Sequence, residues 1–311
     1  MKILVTGGTG LVGSAIHNLS ILYSNYEFIF SGSKDCNLIN YDETLQYFIK
    51  YKPDYVIHLA GNVGGLFKNM NHKVEMFEDN ILINLNVIKA AYHIQVKKLI
   101  SCLSTCIFPD KIVYPINEEI LHNGPPHTSN DAYAYAKRML EIQTNAYNHQ
   151  YGTNFITIIP TNVYGPHDNF NILDGHIIPA LIHKCHIAKN TNTVFNIAGT
   201  GKPLRQFIYS EDLAKLIMWC LELYNEKTPI ILSNDEKDEI SIGEVANIIA
   251  NEFDYRDNLK FDETKSDGQF KKTANNSKLR LLNPNFEFID IKDGLKKTIE
   301  WFKLNYDLCR K

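Results

Sequence analysis

The feature that most constrains the fold is a glycine-rich turn near the start of the chain. Lys2 to Thr6 is a short apolar run that predicts a buried parallel strand, and Gly8, Gly10 and Gly13 follow it directly. Leu11 to Leu22 then has the apolar spacing of a helix. This pattern predicts a dinucleotide-binding unit, because the glycines let the backbone approach a pyrophosphate at the helix N-terminus.

Strands continue to alternate with helices through the first half of the chain. The predicted strands are Tyr26–Phe30, Asp54–Ala60, Lys98–Ser104 and Phe155–Pro160, and the predicted helices are Tyr41–Tyr51, Met76–Val96 and Ala132–Gln150. Such alternation predicts an α/β fold with a doubly wound parallel sheet of the Rossmann type.

The alternation of predicted strands and helices becomes less regular after about Thr161. The later elements that the sequence predicts are a helix at Ser210–Tyr224, a strand at Ile230–Leu232, and a helix to about Phe253 that opens with a capping box at Ser241 and Glu244. We expect residues 1–165 to form a dinucleotide-binding Rossmann domain, with return segments from the C-terminal half. Residues 166–311 should form mainly a smaller substrate-binding lobe over the carboxyl ends of the strands.

Composition excludes several classes of partner. The net charge is −3 and no basic block occurs, which argues against a nucleic-acid partner. No window approaches eighteen apolar residues, so we expect no membrane span, and the N-terminus has no apolar segment of the signal-peptide kind. The six cysteines do not show the spacing of a disulfide framework, which indicates reduced thiols and therefore a cytoplasmic protein. The histidines show no convincing metal-ligand pattern, so we expect no metal.

A tyrosine and a lysine four residues apart indicate the chemistry. Tyr133 and Lys137 would share one face of a helix. The ammonium can lower the pKa of a phenol that otherwise titrates near ~10, and Ser104 can supply a second hydroxyl to the same carbonyl. Together with a dinucleotide site, these are the parts of a carbonyl reductase. Cys106 is an additional group that simple reduction does not need.

The end of the second predicted strand bears on the choice of cofactor. It runs into Ser31, Ser33 and Lys34, whose hydroxyls and ammonium suit a 2′-phosphate and favour NADP(H). Asp35 lies about twenty residues beyond the glycines and is the alternative, as the acid that binds a ribose 2′-hydroxyl in NAD enzymes.

These motifs resemble those of the extended short-chain dehydrogenase/reductases, and within them the chain closely resembles the GDP-L-fucose synthases. That family carries out both 3,5-epimerisation and 4-reduction of GDP-4-keto-6-deoxymannose. The resemblance spans nearly the whole chain and rests on these segments: Thr6–Gly10, Val63–Gly65, Leu103–Pro109, Tyr133 with Lys137, Pro160–Phe170, Gly175–Pro179 and Lys265–Gly268.

The resemblance implies a role for each matching residue. Tyr133 would donate a proton to the C4 oxygen, Ser104 would share that oxygen, and Lys137 would bind the nicotinamide ribose. Cys106 and His176 would be the base and the acid of epimerisation. The implied cofactor-binding residues are Gly7, Gly8, Thr9, Gly10, Leu11, Val12, Gly13, Lys137, Pro160, Thr161, Asn162, Val163 and His176, to which the chain's own Ser33 and Lys34 are added. The implied substrate-binding residues are Lys184, Arg205 and Asp267.

Three positions depart from the family pattern. Thr9 stands where many bacterial members have Arg, which leaves more of the phosphate binding to Lys34. Lys184 replaces an Arg of some members and keeps the charge without the bidentate geometry. Ala198 replaces a Trp that lies against the substrate nucleotide, so a stacking surface is lost.

Other functions stay open at this point. A simple 4-reductase or 4-epimerase for another nucleotide sugar would need neither Cys106 nor His176, and a non-catalytic cofactor-binding protein would need neither Tyr133 nor Lys137. The resemblance also implies a homodimer through the helices near Met76–Val96 and Ala132–Gln150, each of which carries an apolar stripe. Those stripes are Ile81, Leu85, Ile88 and Tyr92 on one helix and Ala136, Met139, Leu140 and Tyr147 on the other. The same stripes could instead face each subunit's own sheet.

Overall fold

The structure is a computed structural model that describes residues 1–265, 267 and 269–311. The strands are β1 (Lys2–Thr6), β2 (Glu27–Ser31), β3 (Tyr55–His58), β4 (Lys98–Cys102), β5 (Phe155–Pro160), β6 (Asn162–Tyr164), β7 (Phe195–Ala198), β8 (Leu204–Arg205), β9 (Phe207–Tyr209), β10 (Ile230–Leu232), β11 (Ile240–Ser241) and β12 (Leu259–Asp262). The helices are α1 (Leu11–Leu19), α2 (Tyr41–Tyr51), α3 (Leu66–Asn71), α4 (Lys73–His93), α5 (Asp131–Tyr151), α6 (Ile177–Thr191), α7 (Ser210–Glu222), α8 (Ile242–Glu252), α9 (Ser277–Leu282) and α10 (Ile291–Leu304).

A parallel six-stranded sheet organises the first half of the chain. Its order is β2-β1-β3-β4-β5-β10, so the chain moves outward from β1 to β2 and then crosses to the other side of β1 with β3. Ligands bind outside the carboxyl ends of the strands at such a reversal. Thr6 pairs in register with both Ser31 and His58 there. The predicted doubly wound α/β fold is confirmed.

Side chains alternate between the two faces of the sheet. Ile3 and Val5 of β1 pack in a core with residues of α1 and α7, and Leu4 packs on the opposite face with residues of α2, α4 and α5. A third apolar core lies in the second half of the chain, where residues of α6, α8 and α10 pack together with β7 and β9. The two faces of the sheet and the second half of the chain therefore have separate apolar cores.

Most predicted elements form within a few residues of their expected bounds. The helix Tyr41–Tyr51 and the strands Phe155–Pro160 and Ile230–Leu232 form as predicted, and the capping box of Ser241 and Glu244 is present. The strand predicted over Lys98–Ser104 ends at Cys102, and a 3-10 turn follows at Thr105–Ile107. Ser104 caps this turn, accepting a hydrogen bond from the Cys106 backbone N–H at 3.4 Å. Cys106 is therefore carried by a tight turn and not by a continuation of β4.

Part of the second half returns to the sheet. β10 pairs with β5 in parallel, and α7 belongs to the core on one face of the sheet, while short strand pairs such as β7 with β12 lie outside it. The division at residues 165 and 166 stays a prediction. In the described part of the chain, no helix combines the length and apolarity needed to cross a bilayer.

Candidate active site

A large cavity opens at the carboxyl ends of β1, β3, β4 and β5 and extends to the C-terminal lobe. Its volume is about 1710 Å³. The cavity brings together most of the site residues expected from the sequence: Gly7, Thr9–Gly13, Ser33, Ser104, Cys106, Tyr133, Pro160–Val163, His176, Lys184, Arg205 and Asp267. Gly8, Lys34 and Lys137 are not among its lining residues.

The glycine turn fits a pyrophosphate. Gly7 has φ +72°, and a Cβ there would lie 2.8 Å from the backbone nitrogen of Ala60. A Cβ on Gly13 would lie 2.4 Å from the carbonyl oxygen of Gly7. Any side chain at residue 13 would therefore force α1 away from the end of β1. Gly10 is the N-cap of α1 and has no side chain to occupy the first N–H groups of the helix. Those donors, with the positive end of the helix dipole, suit an anionic group.

The polar residues of the loop after β2 have different surroundings. Ser33 lines the cavity, whereas the side chain of Lys34 is exposed. Asp35 accepts a hydrogen bond from the backbone N–H of Gly32 at 2.8 Å, so its carboxylate stabilises its own loop. Thr9 packs beside Gly32, where an added Cβ would lie 2.9 Å from the Thr9 hydroxyl. The loop therefore offers Ser33 directly to a ligand.

Tyr133 and Lys137 lie on the first turns of α5, beside the end of β4. The Lys137 ammonium is buried and donates a hydrogen bond to the Cys102 carbonyl oxygen at 2.9 Å. It lies 5.9 Å from the centre of the Tyr133 ring. Burial raises the pKa of Tyr133 well above its ordinary value, and the neighbouring Cys106 adds to the rise. The expected lowering of this pKa is therefore wrong for this structure, and a phenol that stays protonated suits a proton donor.

Cys106 lies on the 3-10 turn after β4, and the residue is 7 % exposed. Burial raises the pKa of its thiol, while the nearby Lys272 ammonium, a hydrogen bond with Ser104 and the Lys137 ammonium act in the opposite direction. Lys272 also lines the cavity. Sequence reasoning missed Lys272, because an isolated lysine in an irregular segment has no local pattern and only tertiary folding brings it to the thiol.

His176 lies on another wall of the cavity as the N-cap of α6, and its side chain is exposed. Asp168, which is buried, also lines the cavity. Its Oδ1 accepts a hydrogen bond from the Asn169 backbone N–H at 2.7 Å, while Oδ2 has no partner within the described residues. Burial raises the pKa of Asp168, and the proximity of His176 opposes that rise. No local sequence pattern marks Asp168 as a site residue, because its burial beside His176 arises only in the folded chain.

A close contact between backbone segments fixes the position of His176. The Gly65 N–H donates to the Asp174 carbonyl oxygen at 2.8 Å, and the Gly175 N–H donates to the Asn171 carbonyl oxygen at 2.9 Å. A Cβ on Gly65 would lie 2.5 Å from the Gly175 carbonyl oxygen. A Cβ on Gly175 would meet the carbonyl oxygens of its own loop at 2.4 and 2.5 Å. Both glycines are therefore required for the segment before His176 to lie against the loop after β3.

The cavity wall in the C-terminal lobe carries positive charge. Its cationic residues are Lys184, Arg205, Lys265, Lys272 and Arg310. Burial lowers the pKa values of Lys184 and Arg205. The Arg205 guanidinium donates to the carbonyl oxygens of Leu204 and Gln269 at 2.7 and 2.8 Å, which orients it on the wall. Such a surface suits an anionic substrate such as a diphosphate.

Asp267 binds the segment that follows β7. Its two carboxylate oxygens accept hydrogen bonds from the backbone N–H and the hydroxyl of Thr200, at 2.6 and 2.8 Å. Ala198 lines the cavity nearby. Ser266 and Gly268, which belong to the segment Lys265–Gly268 singled out in the sequence, lie outside the described residues.

Comparisons with known proteins agree with this geometry. The family model described as "NAD dependent epimerase/dehydratase family" matches residues 3–234. A protein of Dictyostelium discoideum named GDP-L-fucose synthase is 52 % identical over 99 % of this chain and 97 % of its own length. A probable GDP-L-fucose synthase of Drosophila melanogaster is 47 % identical over 100 % of this chain and 99 % of its own. Among solved structures, a GDP-L-fucose synthetase of Naegleria fowleri bound to NADP has a TM-score of 0.96 and 50 % identity, covering 100 % of this chain and 95 % of that one.

Proposed function

The chain belongs to the NAD dependent epimerase/dehydratase family, and from that premise we propose that it is a GDP-L-fucose synthase. It would invert C3 and C5 of GDP-4-keto-6-deoxy-D-mannose and reduce C4 with NADPH. The observation that carries this proposal is that Ser104, Cys106, Tyr133 and His176 line one cavity. A reductase without epimerisation needs neither the thiol nor the imidazole.

The chemistry sets the order of the two reactions. C3 and C5 flank the C4 ketone, and their protons are acidic only while that ketone is intact, so both inversions precede reduction. Tyr133 and Ser104 donate hydrogen bonds to the C4 oxygen in both stages, because an enolate and the developing alkoxide place negative charge on the same atom. One set of donors therefore serves both reactions.

The two inversions need a base and an acid on opposite faces of the sugar. We assign the base to Cys106, whose thiolate is favoured by Lys272 and by the Ser104 hydrogen bond against the cost of burial. We assign the acid to His176, which reaches the cavity from the start of α6. Each inversion moves a carbon proton to sulfur and a proton from the imidazole to the opposite face of that carbon.

The proposed cofactor is NADP(H). When bound, it supplies the hydride for C4. Its pyrophosphate would lie on the turn Gly7–Gly13 and the N-terminus of α1, with Pro160–Val163 and His176 beside the nicotinamide end and Lys137 at its ribose. Ser33 and Lys34 would bind the 2′-phosphate.

The 2′-phosphate assignment has its own test. Lys34→Ala should weaken NADPH more than NADH, because NADH has no 2′-phosphate, and Michaelis constants for the two cofactors measure the difference. Lys52→Ala is the control, since Lys52 is an exposed lysine at the C-cap of α2. Equal changes in the Michaelis constants for NADPH and NADH would show that Lys34 does not bind the 2′-phosphate. Asp35 would then be the residue to test as the partner of the ribose.

The substrate would be bound from the C-terminal lobe. Lys184 and Arg205 suit the diphosphate, and Asp267 supports the wall through Thr200. Residues 166–311 would in this sense form mainly the substrate-binding lobe, and residues 1–165 mainly the cofactor domain. All six cysteines are free thiols, which supports a reducing, cytoplasmic location.

We also propose that the protein is a homodimer formed through α4 and α5. Ile88, Ala136 and Leu140 are buried in the subunit's own core. Leu82, Leu85 and Tyr92 of α4 and Tyr135, Met139 and Ile142 of α5 are large apolar side chains that stay exposed. Each helix therefore has a second apolar face, which burial against its own sheet does not explain.

The decisive experiment is incubation of the enzyme with GDP-4-keto-6-deoxy-D-mannose and NADPH, with the product sugar identified by NMR. We expect GDP-L-fucose, with solvent deuterium at C3 and C5 when the reaction runs in D₂O. A C4-reduced product with unchanged configuration at C3 and C5 would favour a simple 4-reductase instead.

A further inference from the structure

A second, small cavity adjoins Cys106. Its volume is about 10 Å³, close to the space that one water molecule requires. Cys106, Asp110, His127, Asn130 and Lys272 belong to its wall. The Asn130 Oδ1 atom is buried and has no hydrogen-bond partner within the described residues, so it is an acceptor for which a water molecule would be a suitable donor.

Asp110 and His127 connect this cavity to the protein surface. Their side chains are 36 % and 40 % exposed, and His127 Nε2 lies 4.0 Å from Asp110 Oδ1. His127 Nδ1 accepts a hydrogen bond from the Ser129 backbone N–H at 3.1 Å, so the neutral ring carries its proton on Nε2, the nitrogen nearer Asp110. The Asp110 carboxylate is thus a proton acceptor that touches both the cavity and solvent.

Cys106 must lose the proton that it gains in the first inversion before it can act as the base in the second. After the first inversion Cys106 is a neutral thiol and His176 has given up its proton. The second inversion cannot start until Cys106 has released a proton and His176 has gained one. His176 is exposed and can be reprotonated directly, whereas Cys106 is buried, and a sugar bound in the large cavity that it lines would cover it further.

We propose that the small cavity holds a water that carries the Cys106 proton to Asp110 between the two inversions. The S–H bond of the thiol breaks as the water accepts its proton, the water gives a second proton to the Asp110 carboxylate, and Asp110 releases it to solvent. No group is oxidised or reduced, and Asp110 is not among the residues that line the large cavity. His127 acts as a positioning residue for Asp110. This inference rests on the proposed function, since it requires Cys106 to act as a base twice.

The test is deuterium incorporation during a single turnover in D₂O with NADP⁺ in place of NADPH, so that the ketone persists. In Asp110→Asn we expect the first deuterium to enter at the wild-type rate. The second should enter about tenfold more slowly, a smaller loss than for a group that transfers a proton directly to substrate. Added formate should restore the second rate, since a dissolved carboxylate can accept the proton. His127→Gln should slow the same step to a lesser degree.

Asp54→Asn is the matched control, because Asp54 is a similarly exposed carboxylate, paired with Lys97 at the amino end of β3. The inference is overturned if Asp110→Asn keeps the wild-type second rate, if formate does not relieve the slowing, or if Asp54→Asn slows the step equally. A wild-type enzyme that incorporates no deuterium at either carbon would instead overturn the proposed function itself.

Discussion

Burial has opposite consequences for the two reacting side chains at the residue scale. It raises the pKa of Tyr133, which keeps the phenol protonated and ready to donate. It also raises the pKa of Cys106, which disfavours the thiolate that a base requires. Cations must therefore act on the thiol rather than on the phenol. Among the groups that oppose the rise of the Cys106 pKa, Lys272 has the largest effect. The Tyr133–Lys137 spacing is visible in the sequence, but the Cys106–Lys272 relation is not.

Replacing Tyr133 by Phe should remove the proton donor for C4. Reduction should fall by roughly two to four orders of magnitude, the usual contribution of general acid catalysis. The dissociation constant for NADPH should change little, because the phenol is assigned to the sugar oxygen. NADPH oxidation and cofactor titration measure the two effects. Tyr135→Phe, two residues along and partly exposed, should reduce normally, and near-normal reduction by Tyr133→Phe would disprove the assignment.

The thiolate assignment predicts a dependence on pH. Because burial raises the Cys106 pKa, deuterium exchange at C3 and C5 should increase as the pH rises above neutrality and the thiolate fraction grows. Lys272→Met removes an opposing cation, so it should move this profile to higher pH and slow exchange at neutral pH.

The matched control for this change is Lys271→Met, since Lys271 is paired with Glu239 at 3.4 Å. Cys106→Ser should abolish exchange at every pH, whereas Cys102→Ser should retain it. An unchanged pH profile in Lys272→Met would show that its charge does not act on the base.

Irregular segments determine the position of the catalytic groups at the scale of elements. The turn after β4 carries Ser104 and Cys106, and the segment before α6 carries His176. The second segment is held against the loop after β3 by the contact between Gly65 and Gly175. The distance between base and acid therefore depends on how these two loops meet and not on either loop alone.

Substituting Gly65 tests this contact. Gly65 has φ −68°, which alanine adopts readily, so the obstacle to Gly65→Ala is the backbone of Asp174 and Gly175, above all the Gly175 carbonyl oxygen 2.5 Å from the added Cβ. We expect Gly65→Ala to displace His176 and reduce deuterium exchange at C3 and C5, with NADPH binding retained. Gly64→Ala is the control, because the atoms nearest to its Cβ belong to the side chain of Lys68 and not to the backbone before His176. Equal exchange rates in both variants would show that the contact does not position His176.

The proposed dimer concerns the whole molecule. α4 and α5 pack against each other and against the sheet, and their remaining apolar side chains face outward. Tyr133 and Lys137 lie in the first turns of α5, so pairing of these helices across subunits would stabilise the segment that carries them.

A charge on the proposed interface should dissociate the dimer. Met139→Glu places a carboxylate among exposed apolar residues of α5, and burial of an unpaired charge between subunits is strongly unfavourable. Sedimentation at micromolar concentration should show a dimer for the wild type and a monomer of 35.6 kDa for this variant. Leu304→Glu on α10, which is also exposed, should remain dimeric. A fully active wild-type monomer would contradict both the pairing and its stabilising role.

The sequence by itself determined the order and kind of the main elements and the identity of most cavity residues. The reason is local: apolar periodicity, the glycines after β1 and the four-residue spacing of Tyr133 and Lys137 act within a few residues of the chain. It also determined the Rossmann-type topology, because alternating strands and helices wind in one hand.

Tertiary structure alone decided the environment of those residues. The sequence predicted a lowered pKa for Tyr133, but burial raises it, since desolvation depends on atoms from several distant segments. The same holds for Lys272 beside Cys106, for the buried Asp168 near His176, and for the contact of Gly65 with Gly175. Cys106 and Lys272 are 166 positions apart in the chain, whereas Asp168 and His176 are 8 positions apart. Only packing of the sheet against the C-terminal lobe brings the more distant of them together.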